Sequence, residues 1–231
     1  MVAQPVNGTG QGRRIDTLLT NGEQRVLLSD VSWELLENIL ADNPGRNIPR
    51  VAFDEGALEF MTPSELHEEI NWTLALVVIH LTDSWRMDRV DTGAMTVRRA
   101  GSRRAGELDS SFYIQHAKIV GFGRNAHQPG MPPPDLAIDI EISRSLVPRL
   151  PILAAMGVPE IWQATDSQVT ILSLEAGEYR EVTASPSLPL LSSQKLNEFL
   201  QLSHDLARRH GVRRSASGRQ RWPPSRRSQD L

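Results

Sequence analysis

The chain has 231 residues and a formal net charge of −3 at pH 7, which is enough length for one α/β domain with a substantial core. It contains no cysteine, which excludes disulfides, zinc–thiolate sites and thiol catalysis. The first residues have no signal-like apolar segment, and the longest apolar run, Leu74–Ile79, is too short to cross a bilayer. We therefore expect a soluble, cytoplasmic protein.

Charge and composition divide the chain into three parts. Residues 208–231 hold eight arginines and one aspartate, and they have too little apolar content to fold alone. We predict a basic disordered tail there, which either holds nucleic acid through its phosphates or is a solvated extension without a partner. Residues 1–24 are polar and glycine-rich, so we predict a flexible leader. This leaves residues 25–207 as the folded domain.

Hydrophobic periodicity predicts both helices and strands in residues 25–207. Helices are predicted over Leu27–Asp42, from Ser64 to about Leu81, over Val147–Met156 with Gly157 as its C-cap, and over Ser192–Arg208. Strands are predicted over Val51–Asp54, Ala57–Met61, around Gly93, and over Leu108–Ile114, Lys118–Gly121, Pro133–Ser143, Glu160–Ala164, Val169–Leu174 and Tyr179–Thr183. Gly123–Pro134 is predicted as a loop. The central strand–helix–strand order predicts an α/β fold with a mixed sheet and helices on its faces.

The strand Pro133–Ser143, with the sequence PPDLAIDIEIS, carries two acidic residues two positions apart. Because strand side chains alternate between faces, Asp139, Glu141 and Ser143 are expected on one face and the aliphatic residues on the other. Neighbouring carboxylates repel each other and destabilise the sheet unless something compensates. A divalent cation is one compensation and solvent is the other, and the pattern alone leaves both open.

Three runs in this chain resemble the Uma-type restriction endonuclease family, a branch of the PD-(D/E)XK nuclease superfamily. They are GELDSSFYI at Gly106–Ile114, the strand Pro133–Ser143, and LPILAAMGVPEIW at Leu150–Trp162. With looser matches, the resemblance extends from about Arg25 to Leu206. It implies a restriction-endonuclease-like fold, in which a mixed β-sheet core is flanked by helices. It also implies Mg²⁺- or Mn²⁺-dependent hydrolysis of DNA by a metal-activated water, and a homodimer that cuts two strands.

The resemblance also implies which residues form the metal site. Asp109 matches the first acid of the superfamily motif and Asp139 the second, with the Ile140 carbonyl as a further ligand. Glu68 matches an acid that some members add, and Glu141 is expected on the same strand face as Asp139. Each acid also has a plainer interpretation: a capped loop aspartate for Asp109, an exposed helix residue for Glu68, and solvated strand charges for the pair.

Two positions depart from the family pattern. Leu108 stands where the motif has a proline before its aspartate, which is a conformational change more than a chemical one. Glu141 stands where the acid-x-lysine motif has its lysine, and the lysine that other members supply from the next helix corresponds to Arg149. Arginine can neutralise charge on a phosphate, but it stays protonated and cannot act as a base. The sequence therefore leaves two hypotheses, a metal-dependent nuclease and a catalytically degenerate member that binds nucleic acid or a protein partner.

A run that begins like a zinc-protease helix, at His67–Asn71, does not fit that class. Asn71 stands where the second histidine ligand is required, and the six histidines show no ligand spacing.

Overall fold

The computed structural model describes residues 15–20, 22–42, 49–121 and 130–216, with only the backbone of residues 20 and 207–216. Within these residues the chain forms two six-stranded sheets and five α-helices. The predicted α/β fold with a mixed sheet is therefore correct. The division of the strands between two sheets was not predicted.

The first sheet is antiparallel, with the strand order β1-β2-β4-β3-β7-β6. Its strands are β1 (Ile15–Thr20), β2 (Glu23–Leu28), β3 (Arg50–Asp54), β4 (Ala57–Thr62), β6 (Met95–Arg99) and β7 (Arg104–Leu108).

The second sheet is mixed, with the order β12-β11-β10-β9-β8-β5. Its strands are β5 (Val90–Asp91), β8 (Ser110–Tyr113), β9 (Leu136–Ile140), β10 (Glu160–Ala164), β11 (Val169–Glu175) and β12 (Glu178–Val182). Only the β9–β10 pair is parallel in this sheet. A parallel pair needs a crossover connection, and a helix provides it here.

The helices are α1 (Trp33–Asp42), α2 (Glu65–Ser84), α3 (Ala117–Val120), α4 (Arg149–Met156) and α5 (Ser193–Ala216). Ser64 caps α2 by accepting a hydrogen bond from the His67 backbone N–H, and Gly157 ends α4 in the left-handed conformation. In the described part of the chain, no helix is both long and apolar enough to span a membrane.

Strand β9 separates the two cores that pack against the second sheet. Leu136, Ile138 and Ile140 project into the larger core, which α2 and α5 cover. Ala137 projects to the other face, where α4 packs. This alternation matches the predicted one for β9, and it places Asp139 on the α4 side, away from the larger core.

Most predicted elements match the structure, including the Val51–Met61 hairpin, the helix after Ser64, the helix that Gly157 ends and the hairpin after Val169. Two local predictions were wrong. Leu27 and Leu28 belong to β2, so the first helix begins only at Trp33. Residues Ala117–Val120 form a short helix, where Lys118–Gly121 was expected to be extended.

The predicted boundaries at both ends also differ from the structure. Residues 15–20, 23 and 24 belong to the paired strands β1 and β2, so the predicted leader over residues 1–24 contains folded chain. The α5 backbone continues to Ala216, well into the predicted tail of residues 208–231. The described residues do not include residues 1–14 and 217–231. They also leave out residues 122–129, where most of the predicted glycine- and proline-rich loop lies.

Candidate active site

Asp109 lies where the chain passes from the first sheet to the second. It separates β7, which pairs with β6 and β3, from β8, which pairs with β9. Its backbone N–H donates to the Ile138 carbonyl at 3.2 Å, and its Oδ2 accepts from the Ile140 N–H at 2.8 Å. Its side chain is buried. Two contacts to β9 thus fix both the backbone and the carboxylate of Asp109.

Asp139 is brought next to Asp109 by the pairing of β8 with β9. Ser110 lies opposite Ile138 in this antiparallel pair, so one further step along the register places Asp109 opposite Asp139. Asp139 is fully buried on the α4 side of the sheet, and its Oδ2 has no hydrogen-bond partner among the described residues. A buried carboxylate oxygen without a donor carries a large desolvation cost, so this atom is one that a ligand would satisfy.

Arg149, the first residue of α4, lies against Asp139. Its Nε donates to Asp139 Oδ1 at 2.6 Å, and a terminal guanidinium N–H donates to the Glu107 carbonyl. Burial lowers the pKa of Arg149, but the negative charges of Asp139 and Asp109 raise it above the ordinary arginine value. Arg149 therefore stays protonated and can stabilise negative charge without removing a proton.

His67 on α2 connects Asp109 to the N-terminal hairpin. Its Nε2 donates to Asp109 Oδ1 at 3.0 Å and its Nδ1 donates to Glu23 Oε1 at 2.9 Å. Burial lowers the pKa of His67, but its hydrogen bonds to Asp109 and Glu23 raise it to about 9. A fully buried histidine that carries charge at neutral pH thus holds one oxygen of Asp109.

The same contacts lower the pKa values of the two carboxylates. Burial would raise the pKa of Asp109, but the hydrogen bond and charge of His67, with the charges of Arg149 and Arg50, lower it below its usual value. Burial opposes ionisation of Glu23 as well, and hydrogen bonds from His67 and Ser143 lower its pKa. Both groups are therefore ionised at neutral pH.

Arg50 on β3 bridges three carboxylates. Its Nε lies 3.2 Å from Asp109 Oδ1, its Nη1 donates to Glu107 Oε1 at 3.2 Å, and its Nη2 donates to Glu68 Oε1 at 3.4 Å. Burial raises the pKa of Glu107 above its usual value, against the opposing charge of Arg50. We refer to Glu23, Arg50, His67, Glu107, Asp109, Asp139 and Arg149 together as the buried charged cluster.

The predicted site residues divide into two groups in the structure. Asp109, Ile140, Asp139 and Arg149 are brought together by direct contacts. The side chain of Glu68 is 42% exposed, and among the described residues its contact with the cluster is through Arg50. Glu141 follows the end of β9, and its Oε1 accepts from the Ser145 N–H at 3.1 Å. Within the described residues, no hydrogen bond or ion pair joins Glu141 to either aspartate.

Four members of the buried charged cluster were not predicted from the sequence: Glu23, Arg50, His67 and Glu107. A signal for His67 exists, because His67, Ile70, Asn71, Leu74 and Val78 follow the helical spacing of the buried face of α2. The other three are charged residues within strands, where a single sequence gives no sign of burial.

A divalent cation fits the chemistry of these donors. In the described part of the chain, no group of three or more histidine or acidic side chains has a metal-binding arrangement. Mg²⁺, however, commonly binds through one or two carboxylates, with waters and substrate phosphate completing its shell. Asp109 and Asp139 supply such carboxylates, and Asp139 Oδ2 has no protein donor.

Comparisons with known proteins identify the family. No curated protein sequence matches the chain. A crystal structure of a putative nuclease of DUF820 from Anabaena variabilis ATCC 29413 has a similar fold, with a TM-score of 0.52 and 15% sequence identity over 74% of this chain and 99% of that one. The Uma2 family, described as putative restriction endonuclease, matches residues 33–206. This match covers most of the chain, which therefore belongs to the Uma2 family.

Proposed function

We propose that this protein is a metal-dependent endonuclease that hydrolyses phosphodiester bonds in DNA. The observation that carries the proposal is the position of Asp109 at the junction before β8, where its carboxylate accepts from the Ile140 N–H next to Asp139 of β9, together with one buried oxygen of Asp139 that has no partner among the described residues. Membership of the Uma2 family supports the same reaction class.

In this proposal Asp109 and Asp139 hold Mg²⁺ or Mn²⁺, and the Ile140 carbonyl and Glu68 are candidate further ligands. When bound, such a cation polarises the phosphate and lowers the pKa of a bound water. The residues of the chain orient the ligands: the Ile140 N–H and His67 hold the two oxygens of Asp109, and Arg149 holds one oxygen of Asp139.

Arg149 takes the place of the usual lysine in this proposal. The carboxylates of Asp139 and Asp109 keep it charged in spite of its burial, so its role is to stabilise negative charge that develops on the phosphate. Since it cannot accept a proton, no protein base is assigned to it. Glu141 is the nearest acid along the chain to Asp139 and would assist from the end of β9.

The second candidate is a family member that binds DNA or a protein partner without cutting. It is favoured by the number of carboxylate oxygens that already have protein donors. Asp109 Oδ1 contacts His67 and Arg50, Asp109 Oδ2 accepts from Ile140, and Asp139 Oδ1 accepts from Arg149. Such pairing stabilises a charged cluster even without a cation.

Nicking of a supercoiled plasmid distinguishes the two candidates. We expect the wild-type protein to nick the plasmid in Mg²⁺ or Mn²⁺, and the Asp139→Asn variant to lose this activity. Asp166→Asn, in the exposed turn between β10 and β11, is the matched control and should behave like the wild type. Intact plasmid with the folded wild-type protein, across both metals and a range of pH, would contradict the nuclease proposal. Mn²⁺ binding by calorimetry tests the ligands separately.

A homodimer and a cytoplasmic location complete the proposal. Cutting both strands of a duplex is readily achieved by two copies related by twofold symmetry. Light scattering with and without duplex DNA measures the number of copies.

A further inference from the structure

A groove of about 640 Å³ lies beside the candidate active site. Its walls come from Leu18 of β1, from the segment between β9 and α4, from the first turn of α4, and from Gln163 of β10. Arg149 is shared by the groove and the candidate active site, because it lines the groove and also donates to Asp139. The groove is therefore continuous with the site of the proposed reaction.

Gln163 occupies a defined position relative to Asp139. The two residues are register partners in the parallel β9–β10 pair, about 4.8 Å apart in the hydrogen-bonding direction. Partners in register project to the same face of a sheet, so Gln163 lies on the α4 side with Asp139. Its side chain is half-buried, and its amide makes no hydrogen bond to any described residue. An amide with both a donor and an acceptor is thus available in the groove.

The other groups that line the groove suit a nucleotide. Arg144 is exposed and makes no ion pair in the described part of the chain, so its guanidinium is available to a phosphate. Pro148 and Leu150 provide apolar surface for a planar ring. With Arg144 and Arg149 against the single carboxylate of Glu141, the charges that line the groove favour an anionic ligand over a cationic one.

We propose that this groove binds the nucleotide next to the scissile phosphate, with Gln163 contacting the edge of its base. The inference rests on the proposed function in taking DNA as the ligand. A glutamine amide matches the N6 and N7 atoms of adenine through two hydrogen bonds, so adenine is the base we expect.

A base-deletion experiment tests this assignment. Short fluorescent DNA duplexes, each lacking one adenine base at a different position, are titrated with protein in EDTA and again in Ca²⁺, so that binding is measured without cutting. For the wild type, loss of the contacted base should weaken binding by about 5- to 100-fold. Gln163→Ala should weaken binding of the intact duplex and abolish the difference between intact and base-deleted duplexes. Gln168→Ala, in the exposed β10–β11 turn, is the control and should bind like the wild type.

The outcomes separate this inference from the proposed nuclease activity. Equal losses for the wild type and Gln163→Ala at every deleted base would overturn the groove assignment, as would absence of DNA binding in both conditions. If the protein nicks the plasmid but base deletion weakens binding of the wild type and Gln163→Ala equally, the groove assignment is wrong and the nuclease proposal stands. If Gln163→Ala abolishes the effect of a deleted base but the protein does not nick the plasmid, the groove is a nucleotide site and the nuclease proposal is wrong.

Discussion

His67 Nε2 lies 3.0 Å from Asp109 Oδ1, and both side chains are buried. The contact joins α2 to the residue at which the chain passes between the two sheets. Through Nδ1, the same imidazole contacts Glu23 of the N-terminal hairpin. Three segments that are distant in sequence thus depend on one ring.

We expect His67→Phe to lower the free energy of unfolding by about 3–5 kcal/mol, because it leaves Glu23 and Asp109 buried with one cationic partner fewer. Urea denaturation followed by circular dichroism measures the change. His80→Phe, at an exposed position on the same helix, is the control and should change stability by less than about 0.5 kcal/mol. Equal free energies of unfolding for the two variants would show that the His67 contacts make no net contribution to stability.

The raised pKa of His67 predicts that stability depends on pH. A folded-state pKa of about 9 against an ordinary value of 6.5 means that this contribution is complete below about pH 6.5 and is lost as pH rises through about 9. The full effect is on the order of 3 kcal/mol. Urea midpoints measured across this range should fall with pH for the wild type and fall less for His67→Gln. Parallel curves for the two proteins would contradict the prediction.

Arg149→Met should destabilise the protein by about 3–5 kcal/mol, because it leaves Asp139 as an uncompensated buried charge. Arg149→Lys restores the charge with fewer donors and should recover part of this loss. If the nuclease proposal holds, Arg149→Lys should also retain nicking activity that Arg149→Met lacks. Arg180→Ala, exposed on β12, is the control for a lost surface ion pair. The measurements are chemical denaturation and plasmid nicking.

Gly106 sets the close approach of β7 to α4. A Cβ atom at this position would lie 3.2 Å from Cγ2 of Ile152, so a larger residue has to displace the helix that carries Arg149. We expect Gly106→Val to cost about 1–3 kcal/mol.

Gly101→Ala is the matched control for Gly106→Val, because a Cβ there would meet no atom within 4 Å. Differential scanning calorimetry of both variants measures the effect. A Gly106→Val protein with unchanged melting temperature would show that α4 is not held against β7 by close packing.

The sequence was sufficient to predict which face of the sheet Asp139 of β9 occupies. Alternation with period two places Leu136, Ile138 and Ile140 in one core and Asp139 on the opposite face, and the structure has this arrangement. The same alternation was extended to Glu141, although β9 ends at Ile140. A strand ends where its pairing with neighbouring strands stops, and the sequence of one strand does not show where that is.

The charged residues that surround Asp109 could not be predicted in the same way. Glu23 contacts His67 from 44 residues away, and Arg50 contacts Glu107 from 57 residues away. Charged residues are rarely buried unless paired, and the pairing is visible only once the two sheets are assembled. The polar, glycine-rich composition of residues 1–24 favoured a flexible leader, and the sequence IDTLLT of β1 has no strict alternation of apolar and polar residues to mark a strand.

The place of Asp109 between β7 and β8 ties the candidate site to completion of the fold. Leu108 pairs within the first sheet and Ser110 within the second, so both sheets must form before Asp109 meets both His67 and β9. A partly folded chain with only one sheet would hold the residues of the site without their arrangement. Any activity that depends on Asp109 would therefore require both sheets to have formed.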